Sequence, residues 1–522
     1  MHIKQAVVRS SAFALLGMAA LAVGAPRVQA QIAQHPQRIA PTALLTVAPA
    51  DTFEWPKENL SPSTGIFLKP SQAHWHYNMS PSEYAAMKQR AAQGGGSKPG
   101  NGINPDRIPP PTTLKHIYEG MNENQATDQG FIFWPPDVNA AVSTKQVVET
   151  CNDAVAVYTR TGVLSKLTPM STFMLEGTNL QTDPNVEYDP TWQRWIVSDV
   201  NDAVINNTHT LNLAISKTSS ATGAWWVYHI VVDGSGGFWD YPHSGQTQDA
   251  VILTGNLFFA GGGAEGRAFA VAKARLFNGL GFSVPLFTGL PFNFTPPNVM
   301  DQSDEAYCAH PDLYTSGSNQ VWLYDFGDAA NAFEAYMIGP YQVATNETQV
   351  APPSAPQPGT SNTLDTLDGR FQYRGQQNGN RAIWTNCIAL GSFSGPVLYD
   401  INTSSMTLNT SSTYYFDSGT SFDFNPNAAL LPNGNVGVEW SYTDPSAGKN
   451  ASIQIAGGAS SGISGVVGTS IFTSGSNYAD FRWGDYSSLQ LDPASATQFW
   501  GANEYIINSG EWGTKIFYFS VP

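Results

Sequence analysis

The chain is short of cysteine, of basic residues and of charge altogether. Three cysteines, Cys151, Cys308 and Cys387, stand in 522 residues. Their number and spacing exclude a zinc cluster. An oxidising compartment would permit one disulfide and leave one thiol over, and Cys308 with Cys387 is the expected pair. No cysteine has the His-bearing context of a nucleophile. Lys and Arg number 25 against 41 Asp and Glu. Nucleic acid is disfavoured as a partner, because phosphate binding needs a basic surface, and anionic membranes are disfavoured for the same reason. Charged residues make up 13% of the chain, about half the usual quarter. No convincing helical pattern of ten residues or more occurs after position 111. No apolar run reaches membrane-spanning length, so membrane insertion is not expected.

What is present begins with a leader. Lys4 and Arg9 give a positive start, Ala12 to Val23 is a short apolar run, and Val28-Gln29-Ala30 has the small-x-small form of a cleavage site. Residues 1–30 therefore read as a signal peptide, and the mature chain is expected to begin at Gln31 and to be secreted or periplasmic. No cysteine follows the site, so no lipid anchor is expected. With Lys4, Arg9 and Arg27 removed and no acid lost, 22 basic and 41 acidic residues remain, a net charge of −19.

Residues 31–110 form a Pro/Gly-rich N-terminal extension. "GGGSKPGNG" at 94–102 and "IPPPTT" at 108–113 read as linker, flexible at the glycines and stiffer at the prolines. One short helix is expected over Ser80 to Ala92, with Ser80 as N-cap, Pro81 in the first turn and Glu83 three residues on.

From 111 to 522 short apolar runs alternate with polar residues and are separated by Gly, Asn, Asp, Pro and Ser. "QVVETCNDAVAVYT" (146–159), "DAVILTGNLFFAGG" (249–262) and "KIFYFSV" (515–521) are examples. This is the period of antiparallel sheet. About 410 residues of it are too many for one sandwich, so repetition is expected. Units can be aligned from Pro135, Asp183, Trp239, Leu364, Phe422 and Trp483, with a further one over 306–326. Seven units of roughly 45–65 residues match a four-stranded propeller blade plus its loops; six or eight are also compatible. The fold class expected is all-β, a β-propeller of four-stranded antiparallel blades. A parallel β-helix would need a stricter period of about twenty residues. Two successive sandwiches would need a linker, for which "FTPPNVMDQSDE" (294–305) is the sole candidate.

Several stretches carry a resemblance. "WPPDVNAAVSTKQVVETCNDAVAVYTRTGVL", "DPNVEYDPTWQRWIVSDV", "LNLAISKTSSATGAWWVYHI", "LDTLDGRFQYR" and "RWGDYSSLQLDP…FWGANEY" occur in this order between about 130 and 510. Together they resemble a family of secreted, largely uncharacterised bacterial β-propeller proteins. The resemblance implies a propeller and an exported bacterial protein. It brings no reaction and no catalytic residues. The chain departs from the expected form at Ala140 and Ser143, where glycine is usual, which bears on the tight turn there.

Acidic corners precede the alternating strands at Asp137, Asp183, Asp240 and Asp485. In a propeller the innermost strands converge on one channel mouth, where ligands usually bind. One reading is a ring of carboxylates with Tyr241, Tyr486, Trp239 and Trp483 as stacking faces. Paired carboxylates could serve a glycosidic bond or hold Ca²⁺; no other cofactor is indicated. The plainer reading is that Asp bonds the backbone two residues on and caps a turn. Chemistry on uronate sugars would draw on Tyr241, His243, His310, Arg370 and Arg482, although nine histidines in a chain this long are mostly loop or surface residues. Arg482 is expected to bridge a neighbouring blade or face a ligand. "HWHYN" (74–78) places His74 and His76 on one face of a strand, but two ligands do not make a metal site, and none is assigned. Trp192 and Trp195 in "DPTWQRW" are expected to pack between blades. No nucleophile elbow, phosphate loop or dinucleotide fingerprint is present.

The expected function is binding of an extracellular ligand, most of all carbohydrate, at the channel mouth. Asp137, Asn139, Trp239, Asp240 and Trp483 are the binding candidates. Asp485, Tyr486, Arg482, Tyr241, His243, His310 and Arg370 are the candidates if the mouth belongs to a polysaccharide lyase or glycosidase. A non-catalytic adhesion or scaffold module is the third reading, with a glycan or protein as partner and a monomer as the expected state.

Overall fold

The computed structural model describes residues 36–57, 66–68, 79–95, 98, 112–177, 179–202, 209–233, 237–260, 262–301, 303–313, 315, 317–410, 413–463 and 466–521. The leader and His74 and His76 lie outside these residues.

Strand follows strand through short turns, as the period-two pattern requires. The first ladder runs Asn139–Val142, Gln146–Cys151, Ala154–Thr159 and Leu164–Pro169, each antiparallel to the last. Its first turn contains no glycine at Ser143. The Ser143 hydroxyl accepts from the amides of Lys145 and Gln146 at 3.2 and 3.0 Å and so closes the turn with a side chain. Comparable ladders cover 180–233, 238–290, 306–344, 375–416, 422–473 and 488–520, and the short strand Pro297–Val299 pairs parallel with the third and the fifth.

The core is divided among the spaces between ladders. Val148, Val186 and Trp195 belong to a cluster joining the first ladder to the second, and Leu213 and Leu253 to one joining the second to the third. Further clusters link each ladder to its successor, and Val142, Trp500 and Ile516 link the seventh back to the first. Sheets packed face to face in a closed ring form a β-propeller. Two devices close it. Thr113–Asn122 pairs antiparallel with Glu511–Ser520, so a strand from before the first ladder completes the seventh. Arg160 holds Asp492 across the same seam, and the Ala140 amide donates to Ser488 Oγ at 3.0 Å. Only the absence of a side chain lets the third ladder's first strand approach the segment Pro297–Val299: a Cβ at Gly245 would lie 2.4 Å from the Pro297 carbonyl oxygen.

The extension is not merely a linker. Gln37–Ile39 pairs with the outer strand of the fourth ladder, Ala43–Val47 with that of the third and Asp51–Phe53 with that of the second. The chain thus steps backward around the rim and adds an outer strand to three successive ladders. Its strands are three to five residues long and separated by prolines, which is why composition alone hid them. The helix Pro81–Ala92 forms with the expected capping box of Ser80 and Glu83.

Candidate functional site

The inner strands begin in a recurrent way. Asp137, Asp183, Tyr241, Asn293 and Asn425 all have positive φ, between 50° and 61°. Asp and Asn tolerate this region; a tyrosine there is a genuine outlier. At Asp183, Tyr241 and Asn425 a proline follows, and the ladder register shifts immediately after. The local code is therefore a left-handed residue, a proline and then Asn185, His243 or Asn427, making a bulge that turns the strand into the channel.

These corners are latched to one another. The Asp183 amide donates to Asn152 Oδ1 at 2.8 Å, and the Tyr241 amide to Asp183 Oδ2 at 3.1 Å. The Asn293 amide donates to Asn256 Oδ1 at 2.8 Å, and the Asp485 amide to Asp137 Oδ1 at 2.7 Å. Each bond passes between adjacent ladders. Asp137 Oδ2 also accepts from Asn152 Nδ2 at 2.7 Å. Asp137 and Asp183 thus do bind backbone, as the plainer reading has it, but that of a neighbouring ladder rather than their own.

Inside the ring of latches the candidates from several ladders meet. Tyr486 stacks on Tyr241 with ring centres 5.1 Å apart, and its hydroxyl donates to Asp183 Oδ2 at 3.0 Å. The Tyr241 hydroxyl donates to the Phe371 carbonyl at 3.1 Å. Arg370 lies 4.5 Å above the Tyr241 ring and grips Asp368 with two bonds, at 2.8 and 3.0 Å. His243 sits 4.7 Å from Tyr241 and 5.5 Å from Tyr486. Arg374 reaches Asn185 Oδ1 at 3.2 Å and Glu187 at 3.3 Å, while the Tyr373 hydroxyl donates to Asn139 Oδ1 at 3.2 Å. Arg370 and His243 are each 1% exposed.

Burial sets the electrostatics. It pushes His243 down to about 3, helped by the positive charges of Arg374 and Arg370. The imidazole is therefore neutral, and neither of its nitrogens has a hydrogen-bond partner. Burial, then Asp485 and Asp183, hold the Asp137 carboxyl well above the usual carboxylate range.

The helix Pro81–Ala92 packs onto the segment that precedes Arg370. The Tyr84 hydroxyl on the helix Pro81–Ala92 donates to Asp365 Oδ1 at 2.5 Å, and Lys88 Nζ donates to Thr366 Oγ1 at 2.8 Å and to the Leu367 carbonyl. Lys98 Nζ meets Asp423 Oδ2 at 2.6 Å. The helix is thereby fastened to the segment leading into Arg370.

Other candidates are placed differently. Arg482 Nη2 donates to Asp485 Oδ2 at 2.9 Å, three residues on. Trp239 and Trp483 offer no stacking face at the mouth. Trp239 is buried against Phe269, and Trp483 against Phe424 and Tyr478. Asp240 is buried opposite Asn256. His310 belongs to the fourth ladder, where Nδ1 lies 3.0 Å from the Pro311 carbonyl and the ring 5.9 Å from Trp322; burial lowers it to about 4. Cys308 and Cys387 form no disulfide: all three thiols are free and buried, and Cys387 Sγ donates to the Asp423 carbonyl at 3.2 Å. Trp195 packs between ladders as expected, but Trp192 is 51% exposed. Among the described residues no group of three or more His, Cys, Asp and Glu is placed to hold a metal ion.

Arg374, Glu187, Tyr373, Asn185 and Asn427 were not singled out from the sequence. The recurring Pro-Asn and Pro-His after a corner residue was the signal for Asn185 and Asn427. Arg374 had none, because its partner lies on a distant ladder.

No protein family matches the chain, and no curated protein does. Solved structures do. The exo-β-1,3-galactanase of Phanerochaete chrysosporium is 12% identical, with a TM-score of 0.32 over 79% of this chain and 98% of that one. The β-propeller domain of the Trilobed protease from Pyrococcus furiosus is 8% identical, with a TM-score of 0.35 over 70% and 90%. A subtype N10 neuraminidase-like protein of A/little yellow-shouldered bat/Guatemala is 10% identical, with a TM-score of 0.36 over 66% and 98%. No functional residue is carried over from any of them.

Proposed function

We propose that the chain is an exported bacterial propeller of seven blades, secreted or periplasmic and monomeric, that binds extracellular carbohydrate without cleaving it. The export half rests on the leader at 1–30. The binding half rests on the sequence pattern of aromatic residues set among Asp and Asn turns rather than on the mouth aromatics, which are buried, since aromatic faces stack on sugars and amides and acids take their hydroxyls. The observation favouring binding over turnover is the bonding of the mouth candidates. Asp137 and Asp183 accept from neighbouring ladders, Arg482 is committed to Asp485, and Arg370 to Asp368. A glycosidase or lyase needs an acid and a base that can reach the substrate; Asp137, Asp183 and Arg370 are committed and buried, and the partly exposed Arg482 is bonded to Asp485.

A glycan array probed with the mature chain, followed by product analysis on each hit, tests the reading. Binding with no shortened product is expected. Release of product would restore the enzyme reading. Absence of binding to neutral and uronic glycans alike would end the carbohydrate reading and leave the adhesion or scaffold module.

A further inference from the structure

Trp192 lies in the turn after Leu180–Asp189, at the opposite end of that inner strand from Asp183. Every polar atom of the residue is held. Its amide donates to Asp189 Oδ1 at 2.9 Å, and its carbonyl accepts from Arg194 Nη1 at 3.1 Å. Its indole Nε1 donates to the Gln248 carbonyl of the third ladder at 3.0 Å. Asp189 is itself fixed from that ladder, since Lys273 Nζ, which is buried, meets its Oδ2 at 2.7 Å. An aromatic ring pinned in this way to two ladders cannot turn inward, and half of its surface faces solvent. It is the one tryptophan among the exposed large hydrophobic residues described.

The geometry points to Trp192 as a stacking platform for a pyranose ring of a neutral glycan, away from the channel mouth. The inference rests on the carbohydrate reading above and moves the site to the other end of the blade. With its N–H already bonded, the indole has only its apolar face to offer. The C–H face of a pyranose is the complement of such a surface. Around the ring, exposed Thr191, Gln193 and Asp249 and partly buried Gln248 supply donors and acceptors for hydroxyls. A net charge of −19 on the mature chain, with Asp249 at the rim and the nearby Arg194 given to the Trp192 and Gln193 carbonyls, disfavours uronates and favours neutral sugars.

The test uses the full mature chain and its Trp192→Ala and Trp192→Phe variants. Glycan-array hits are titrated, and acrylamide quenching of tryptophan fluorescence is followed with and without glycan. Expected are binding weakened about tenfold or more in Trp192→Ala, partial retention in Trp192→Phe, an unchanged melting curve in both, and protection from quenching by bound glycan in the wild type only. If the wild type binds a glycan and Trp192→Ala binds it equally, the platform is overturned while the carbohydrate reading stands. If the wild type binds no glycan, the reading falls and the platform with it.

Discussion

Tyr241 and Trp192 stand at opposite ends of the inner strands and are held by similar bonds. Each is an aromatic residue beside an aspartate, with a polar side-chain atom given to a different ladder. Tyr241 is nonetheless sealed and Trp192 open. The difference is what lies above them. Arg370 covers Tyr241, and the helix Pro81–Ala92 fastens the segment that leads to Arg370. Trp192 has one turn of chain and then solvent. An aromatic next to an acidic turn is thus no signature of a binding site until it is known whether more chain packs over it.

The contrast can be broken in four ways. Tyr241→Ala should do most harm, because it removes a buried ring touching Tyr486, His243 and Arg370. A loss of about 3–5 kcal/mol is expected in the urea unfolding free energy; under about 1 kcal/mol, typical of surface positions, would put the two ends on a par. Asp183→Ala should follow. It leaves the Tyr241 amide without its acceptor and the Tyr486 hydroxyl with only the Pro242 carbonyl at 3.4 Å, at about 1–3 kcal/mol for a buried group so orphaned.

The third effect is one of pH. Glu439 holds Asn427 of the inner wall, with Ser487 and Asn503, and burial pushes its carboxyl up to about 8. Glu149 is raised to about 7 by burial likewise. The unfolded chain gives up these protons near the ordinary glutamate value while the folded chain keeps them. Stability should therefore fall as pH rises from about 4.5 toward 8. His243 and His310 act oppositely: lowered to about 3 and 4, they cost stability as pH falls below about 6.5. Thermal melting should be highest between these limits, and Glu439→Gln should flatten its decline on the alkaline side. An unchanged slope would mean that Glu439 is ionised in the folded protein. The smallest effect is expected from Trp192→Ala, whose unfolding free energy should stay within about 0.5 kcal/mol of wild type. A larger loss would make Trp192 part of the scaffold.

Much of the architecture was legible because its causes are local. Alternation and turn residues marked the strands, and the ladders begin near the aligned repeats at Asp183, Trp239, Phe422 and Trp483. Ser80, Pro81 and Glu83 marked a helix start. The outer strands at 37–53 were not legible. Three to five residues among prolines carry too little periodicity, and their partners lie more than 170 residues away. At the mouth, the gathering of Tyr241, His243, Arg370, Arg482, Asp485 and Tyr486 could be anticipated from the convergence of inner strands. That most of their polar atoms were already taken could not.

The sequence by itself determined the strands, their turns and the capped helix, since each depends on residues a few positions apart. Tertiary structure alone decided which side chains face solvent and which face a neighbour. Asp183 meets Tyr241 from 58 residues away and Asp137 meets Asp485 from 348. Nothing in a corner aspartate distinguishes a backbone N–H of the next ladder from a sugar hydroxyl as its donor. Only ring closure, which sets the next ladder beside it, does.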